Sequence, residues 1–363
     1  MKKIQFGILA IVVASAIAGV AFFQLQDSKP KKLKVFCAGS LIHPFKTGDR
    51  VTIEEKFENL YPDVDVQIEG HGSIQCVRHV TELHQKGDIV AVADHSLIPL
   101  LMYNTKIPDT QKRYADWRIK FARNELGIAY TSKSDYADEI NESNWFEILS
   151  RKDVNVGISD PRLDACGYRV LMSLQLAEKF YENDRIAEEV LFNEFTNPIY
   201  VKENQGVQSI RVPQILKPPS DSRIAVRGSS IALLAYLETE AADYAFEYKS
   251  VAKQHDLEFV ELPDQVNLSS EEHASLYNEI EVRLNYQRYA SVNPVFACNP
   301  ITYGITIPKN APHPDIAADF VKFVTGPEGQ EVLRKDEQPP MVPPSPVDPR
   351  NMPDELQGFF EDM

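Results

Sequence analysis

Three short stretches of this 363-residue chain set a small polar side chain between a strand-like run and a helix-like one. They are FCAGSL with Ser40, EGHGSIQ with Ser73, and SDPRLDACGYR with Asp164 to Gly167. The start of a helix leaves backbone N–H groups unpaired and carries a partial positive charge. With a serine hydroxyl beside those N–H groups and a glycine to admit close approach, such a turn can hold an oxyanion without lysine or arginine. Neutral donors also permit release, since no fixed counter-charge has to be separated.

Each residue has an ordinary reading as well. Ser40 can be a plain turn, and Ser73 an N-cap, the commonest use of serine there. Asp164 can be an N-cap serving the N–H groups around Cys166 and Gly167. A carboxylate in a candidate anion site is the anomaly that needs explaining. Tyr248, in DYAFEYKS, ends a strand-like run; its hydroxyl points either into a cleft or out of a core as a polar tip. Arg169 and Arg227 would add positive potential, but surface salt bridges are the simpler expectation. What favours a shared site is repetition, because the ends of strands in one sheet converge on one crevice.

The elements that would position these residues follow from periodicity. KLKVFCA, VDVQIEG and DIVAVAD read as strands, the last of them fully apolar. Between them, TIEEKFENLYP sets Ile53, Phe57 and Leu60 on one helical face, and SIQCVRHVTELHQKG does the same with Ile74, Val77, Val80 and Leu83. This β-α-β-α-β order predicts a parallel sheet with helices on both faces. A second α/β unit follows. Its parts are ELGIAYTS, a short helix around NWFEILS, the strand VNVGIS, and the helix CGYRVLMSLQLAEKFY with Val170, Leu171, Leu174, Ala177 and Phe180 as its buried stripe. RIAVRGSSIALLAYLETEAADYAFEYKS then reads strand, helix, strand. PVFACNPITYGITIP is strand-like, HPDIAADFVKFVTGPEGQEVLRK supplies two late helices, and the Pro-rich end is expected to wrap the surface.

Bulk properties narrow the function. Hydrophobic residues make up 43% and charged residues 25%, as in an ordinary globule with room for two lobes. A net charge of −15 argues against nucleic acid, which needs a concentrated basic face. Two lysines precede an apolar run of 18 residues, Phe6 to Phe23, so residues 1–27 are expected to be a signal peptide or an N-terminal membrane anchor. The rest then lies outside the cytoplasmic membrane. Four cysteines, Cys37, Cys76, Cys166 and Cys298, allow disulfides in an exported protein but equally buried free thiols, and their spacing fits no zinc pattern. There is no Gly-x-Ser-x-Gly elbow, P-loop or Gly-x-Gly-x-x-Gly fingerprint, so nothing in the sequence points to an enzyme.

Five blocks carry a resemblance: FCAGSLIHPF, GSIQCVRHVTEL with DIVAVAD, SDPRLDACGYRVLM, DYAFEYKSVAKQHDLEFVELPDQVNL and NPITYGITIPKNAPHPD. In order, from about residue 33 onward, they resemble the archaeal tungstate/molybdate-binding proteins of ABC transporters. The resemblance implies an α/β type II periplasmic-binding-protein fold: two α/β lobes with a central ligand cleft, joined by crossing strands. Residues 28–120 are expected to form the first part of lobe 1, 121–281 lobe 2, and 282–363 the return segment and tail.

In that family main-chain N–H groups and hydroxyls hold the ligand. The matching positions are Gly39, Ser40, Ser73, Asp164, Ala165, Cys166 and Tyr248. The family also brings two carboxylates to the metal of the oxyanion, and Asp164 matches the first. Tungsten and molybdenum can accept additional oxygen ligands, which would explain a carboxylate in an anion site. The second carboxylate's place falls on Ser230 in VRGSSIALL, a departure that leaves a hydroxyl to bond an oxo group instead.

The expectation is therefore an extracytoplasmic binding protein, monomeric and without a cofactor, that passes tungstate or molybdate to a permease and its ATPase. Alternatives are a binder of sulfate or phosphate, an exported hydrolase using Asp164 and Tyr248, or a membrane-tethered sensor.

Overall fold

The computed structural model describes residues 30–48, 50–285 and 295–362. The expected signal or anchor lies outside the described residues. Among those described, no helix is long and apolar enough to cross a membrane.

The alternating apolar runs near the start build the first sheet. Strands β1 (Lys31–Ala38), β2 (Val64–His71) and β3 (Ile89–Val92) pair in parallel, with Val35 opposite both Ile68 and Ile89. Helices α1 (Ile53–Leu60) and α2 (Ser73–Thr81) make the crossovers. Thr52 and Glu55 close α1 with a reciprocal capping box, which satisfies two otherwise free N–H groups. Three antiparallel strands complete the sheet in the order β15-β4-β14-β3-β1-β2: β4 (Arg118–Arg123), β14 (Thr302–Thr306) and β15 (Pro340–Val347). The Pro-rich tail is thus not a simple wrap. Its prolines form an edge strand, where a missing N–H can face away from the ladder.

The second sheet has the order β11-β5-β10-β6-β9, built from β5 (Leu126–Tyr130), β6 (Val156–Ser159), β9 (Ile224–Arg227), β10 (Tyr244–Tyr248) and β11 (Glu258–Glu261). Strand β6 runs parallel to β9 and β10, and β5 antiparallel to β10. Helix α3 (Ala165–Phe180) packs beneath this sheet.

A third, small sheet was not legible in the sequence. It contains β7 (Tyr200–Asn204), β8 (Val207–Val212), β12 (Ile280–Leu284) and β13 (Val295–Ala297). It lies against the far side of α3, where the Tyr168 ring stacks on Phe296 at 4.5 Å. This changes the helix. The expected stripe becomes burial on every side from Ala165 to Ala177, while Phe180 emerges at the surface.

The chain passes from the first sheet to the second at Asn124–Glu125 and returns to the first, from the third sheet, between Cys298 and Ile301. Strand membership carries the first lobe's sheet to Arg123 and returns to it at Thr302. Asn124 sits buried at the crossing. Its amide donates to Ser250 Oγ at 2.7 Å on one side and to Tyr303 Oη at 3.0 Å on the other. All four cysteines are buried and free.

Candidate functional site

Parallel strands aim their carboxyl ends the same way, and here both main sheets aim them at the boundary between the lobes. Strand β1 ends in Gly39–Ser40, β2 in Gly72–Ser73 and β3 in Ala93–Asp94. From the other lobe come the turn from β6 into α3, the Ser229–Ser230 turn after β9, and Tyr248 at the end of β10. The expected residues Gly39, Ser40, Ser73, Asp164, Ala165, Cys166, Ser230 and Tyr248 are all brought to this boundary, and all are buried.

The lobes touch. A methyl group added at Gly72 would fall 2.5 Å from Leu163 O and 2.6 Å from Gly228 O, so only glycine allows the approach. The Gln75 N–H donates to Leu163 O across the same contact, at 3.2 Å.

Asp164 occupies the N-cap position of α3, yet its side chain makes no capping bond. Its carboxylate reaches outward. Oδ1 accepts from the Ser73 N–H and Oδ2 from the Ser230 N–H, each at 3.0 Å. One carboxylate thus joins a turn of the first lobe to a turn of the second. Burial pushes its pKa up, opposed by these two N–H donors.

The N-cap reading of Ser73 fails, because its oxygen is occupied elsewhere as an acceptor. Ser73 is the first residue of α2, capped instead by Gly72 and Gln75, and its Oγ accepts from the Ala93 N–H at 3.1 Å. Tyr248 Oη accepts from Arg169 Nη1 at 2.7 Å. Asn124 donates to Tyr303 Oη, which pairs with Ser40 Oγ at 2.8 Å, either hydroxyl supplying the hydrogen. A hydroxyl has a single hydrogen. In Ser73 and Tyr248, which accept from N–H donors, that hydrogen is left available to a guest.

Arg169 departs from its expected place. It is buried, not a surface residue, donating to Ala93 O at 2.9 Å and lying 3.8 Å from Asp94. Tyr168 Oη donates to the same Asp94 carboxylate at 2.6 Å. Burial alone would raise the Asp94 carboxyl, but Arg169 and Tyr168 hold it below its ordinary value. This buried cluster is a second tie between the lobes. Arg227 is half-buried and stacks on the Tyr236 ring at 3.9 Å.

Cys166 presents its backbone rather than its thiol. Its Sγ turns inward to Phe246 O at 3.7 Å, and burial raises the thiol pKa far above normal.

Three residues at the boundary escape sequence reading. Tyr303 lies in NPITYGITIP, which reads simply as a strand. Asp94 ends an apolar strand and reads as its polar stop. Glu247 precedes Tyr248, and strand alternation would turn it away from whatever face Tyr248 occupies. In fact Glu247 is buried, its Oε1 accepting from the Tyr248 N–H at 2.8 Å while Oε2 has no hydrogen-bond partner. Burial raises its pKa to about 8, so at neutral pH it is mostly the uncharged acid.

Residues 33–336 match the family described as bacterial extracellular solute-binding protein. The chain is 38% identical over 335 residues to the molybdate/tungstate-binding protein WtpA of Pyrococcus abyssi, covering 92% of this chain and 91% of the relative. It is 40% identical over 330 residues to a solute-binding protein of Methanoculleus marisnigri, covering 91% and 87%. Among solved structures, the periplasmic molybdate-binding protein of Azotobacter vinelandii shares the fold with a TM-score of 0.51 at 13% identity, covering 84% of this chain and 98% of that one. The sulfate-binding protein SubI of Mycobacterium tuberculosis does so at 0.50 and 12%, covering 92% and 91%. Two α/β lobes, crossed twice by the chain and closed over convergent strand ends, are the type II periplasmic-binding architecture, and this chain belongs to the bacterial extracellular solute-binding protein family.

Proposed function

We propose that this protein captures tungstate or molybdate outside the cytoplasmic membrane and presents it to an ABC permease driven by its ATPase. The observation that carries the reading is the state of two hydroxyls. Ser73 and Tyr248 each accept a hydrogen bond from the protein and so each have a hydrogen to give, and Ser40, paired with Tyr303, adds a third hydroxyl. With the N–H groups of Gly39, Ala165 and Cys166 nearby, they form a set of neutral donors suited to a small dianion. Tyr248 also relays the charge of Arg169 without letting the guanidinium form a direct ion pair, which keeps release feasible.

Asp164 sets the choice of anion. Two unscreened negative charges in a dry pocket are costly, so a carboxylate works against sulfate. The metal centre of a tungstate or molybdate ion is a hard Lewis acid that can take an extra oxygen ligand. Asp164 would supply that ligand, and Ser230 would give a hydrogen bond. The names of the archaeal relatives support the same ligands. Binding needs no cofactor, and bond-making is confined to reversible coordination.

Because the donors come from both lobes, a guest bridging them shifts the population toward the closed arrangement. The protein would work as a monomer, exported or held at the outer membrane face by its N-terminal segment. Calorimetric titration with tungstate, molybdate and sulfate tests the proposal. Tight binding of the first two with weak sulfate binding is expected; comparable weak binding of all three would overturn it.

A further inference from the structure

Away from the boundary between the lobes, two histidines and a glutamate meet at the edge of the first sheet. Glu69 and His71 are two residues apart on β2, so their side chains leave the same face of the strand. His79 comes from the last turn of α2. The His71 and His79 rings stack at 4.3 Å, and Phe36 backs His79 at 5.1 Å, holding the rings in line. One donor atom from each of Glu69, His71 and His79 lies within 4.8 Å of the others.

The hydrogen bonding here is incomplete. His71 Nε2 and His79 Nδ1 are both buried and have no hydrogen-bond partner, and Glu69 Oε2 stands 3.8 Å from His71 Nε2. Buried polar atoms in native proteins nearly always have partners, so two orphaned nitrogens side by side call for one. Lys34 at 2.9 Å binds the other Glu69 oxygen and does not reach this gap.

We propose that Glu69, His71 and His79 form a binding site for a divalent transition cation of the zinc class. Two imidazoles and one carboxylate suit a borderline ion and disfavour magnesium or calcium, which require oxygen shells. Tetrahedral ligands at about 2.0–2.1 Å from the metal stand roughly 3.3 Å apart. The half-exposed Glu69 and His71 can close the remaining distance by side-chain rotation. Water would fill the fourth position. The placement has a consequence for the cleft: His71 lies two residues before Ser73, and His79 lies on the helix that Ser73 begins. A cation here would pin β2 to α2 on either side of that turn.

The test is a titration of the metal-stripped, oxyanion-free full chain with zinc chloride, with magnesium chloride in parallel. Its readout does not depend on oxyanion binding. One zinc per chain is expected, with no measurable magnesium uptake and a rise in the unfolding midpoint. His71→Ala and His79→Ala should each weaken zinc binding at least tenfold and abolish the midpoint shift. No zinc uptake, zinc binding undiminished in either histidine variant, or equally tight magnesium binding would overturn the proposal. Should a histidine variant fold poorly, Glu69→Gln carries the test: at least a threefold loss supports the site, and an unchanged affinity sinks it.

Discussion

The Asp164 carboxylate of the second lobe accepts the Ser73 N–H of the first at 3.0 Å, and with its other oxygen the N–H of Ser230. One side chain therefore holds three turns in register where an anion would bind. Asp164→Asn retains the volume but loses the charge and one acceptor. Hydrogen bonds to charged groups contribute about 1.5–3 kcal/mol each. Tungstate affinity should fall by one to two orders of magnitude, and the preference over sulfate should narrow, as read by parallel calorimetric titrations. An Asn variant with undiminished tungstate selectivity would remove Asp164 from the ligand shell.

At Gly72 the backbones of the two lobes come close. Gly72→Ala would place its methyl against two carbonyl oxygens, Leu163 O and Gly228 O, so closure must be partly undone. The clash lies at the contact between the lobes, so the cost should fall on binding. A drop in affinity of at least tenfold with a small change in unfolding midpoint is expected. Small-angle scattering with ligand present should show a more open molecule than wild type.

Tyr248→Phe removes the hydroxyl that accepts from Arg169. The guanidinium keeps its bond to Ala93 O but loses a buried partner. A buried donor left unsatisfied costs about 1–3 kcal/mol. Both stability and ligand affinity should decrease, the second through faster dissociation in stopped-flow measurements.

Ser40 depends on Tyr303, whose hydroxyl is in turn oriented by Asn124. Tyr303→Phe should weaken oxyanion binding although Tyr303 need not touch the ligand. Residues within one network couple, so the double variant with Ser40→Ala should lose less than the sum of the single losses. Strict additivity in a calorimetric cycle would contradict the relay.

Glu247 gives stability a definite pH dependence. Its folded pKa, about 8, lies above the ordinary 4.5, so between those values the folded state binds more protons than the unfolded state. Stability must therefore fall as pH rises from about 4.5 to 8. Asp164, also raised, contributes with the same sign at lower pH, and Asp94, lowered, with the opposite sign. Glu247→Gln should flatten the decline and raise the unfolding midpoint at pH 8 relative to wild type. A midpoint profile identical to wild type would show that the Glu247 carboxyl is not raised in the folded protein.

Much of the architecture was legible because its signals are local. Apolar alternation marked β1, β2 and β3, and helical spacing marked α1 and α2. The strand–turn–helix order then put Ser40 and Ser73 at strand ends. The third sheet was not legible, since β7 is exposed along its whole length and the parallel partner of β8, β12, lies far along the chain. The edge strand Pro340–Val347 was hidden by its prolines, which read as irregular chain until an edge position excuses the missing N–H.

The sequence by itself determined which residues could serve an oxyanion, because turn chemistry and residue type are properties of short segments. Only the tertiary structure decided what each of those groups does. Whether a serine caps a helix or offers its hydrogen depends on who donates to its oxygen. For Ser73 that donor is Ala93, 20 residues away, and Ser40 pairs with Tyr303, 263 residues away. The same holds for Arg169, Asp94 and Glu247, whose charge states follow from burial and from partners across the lobes. Hydrogen bonds and desolvation act through space, over contacts that no spacing along the chain records.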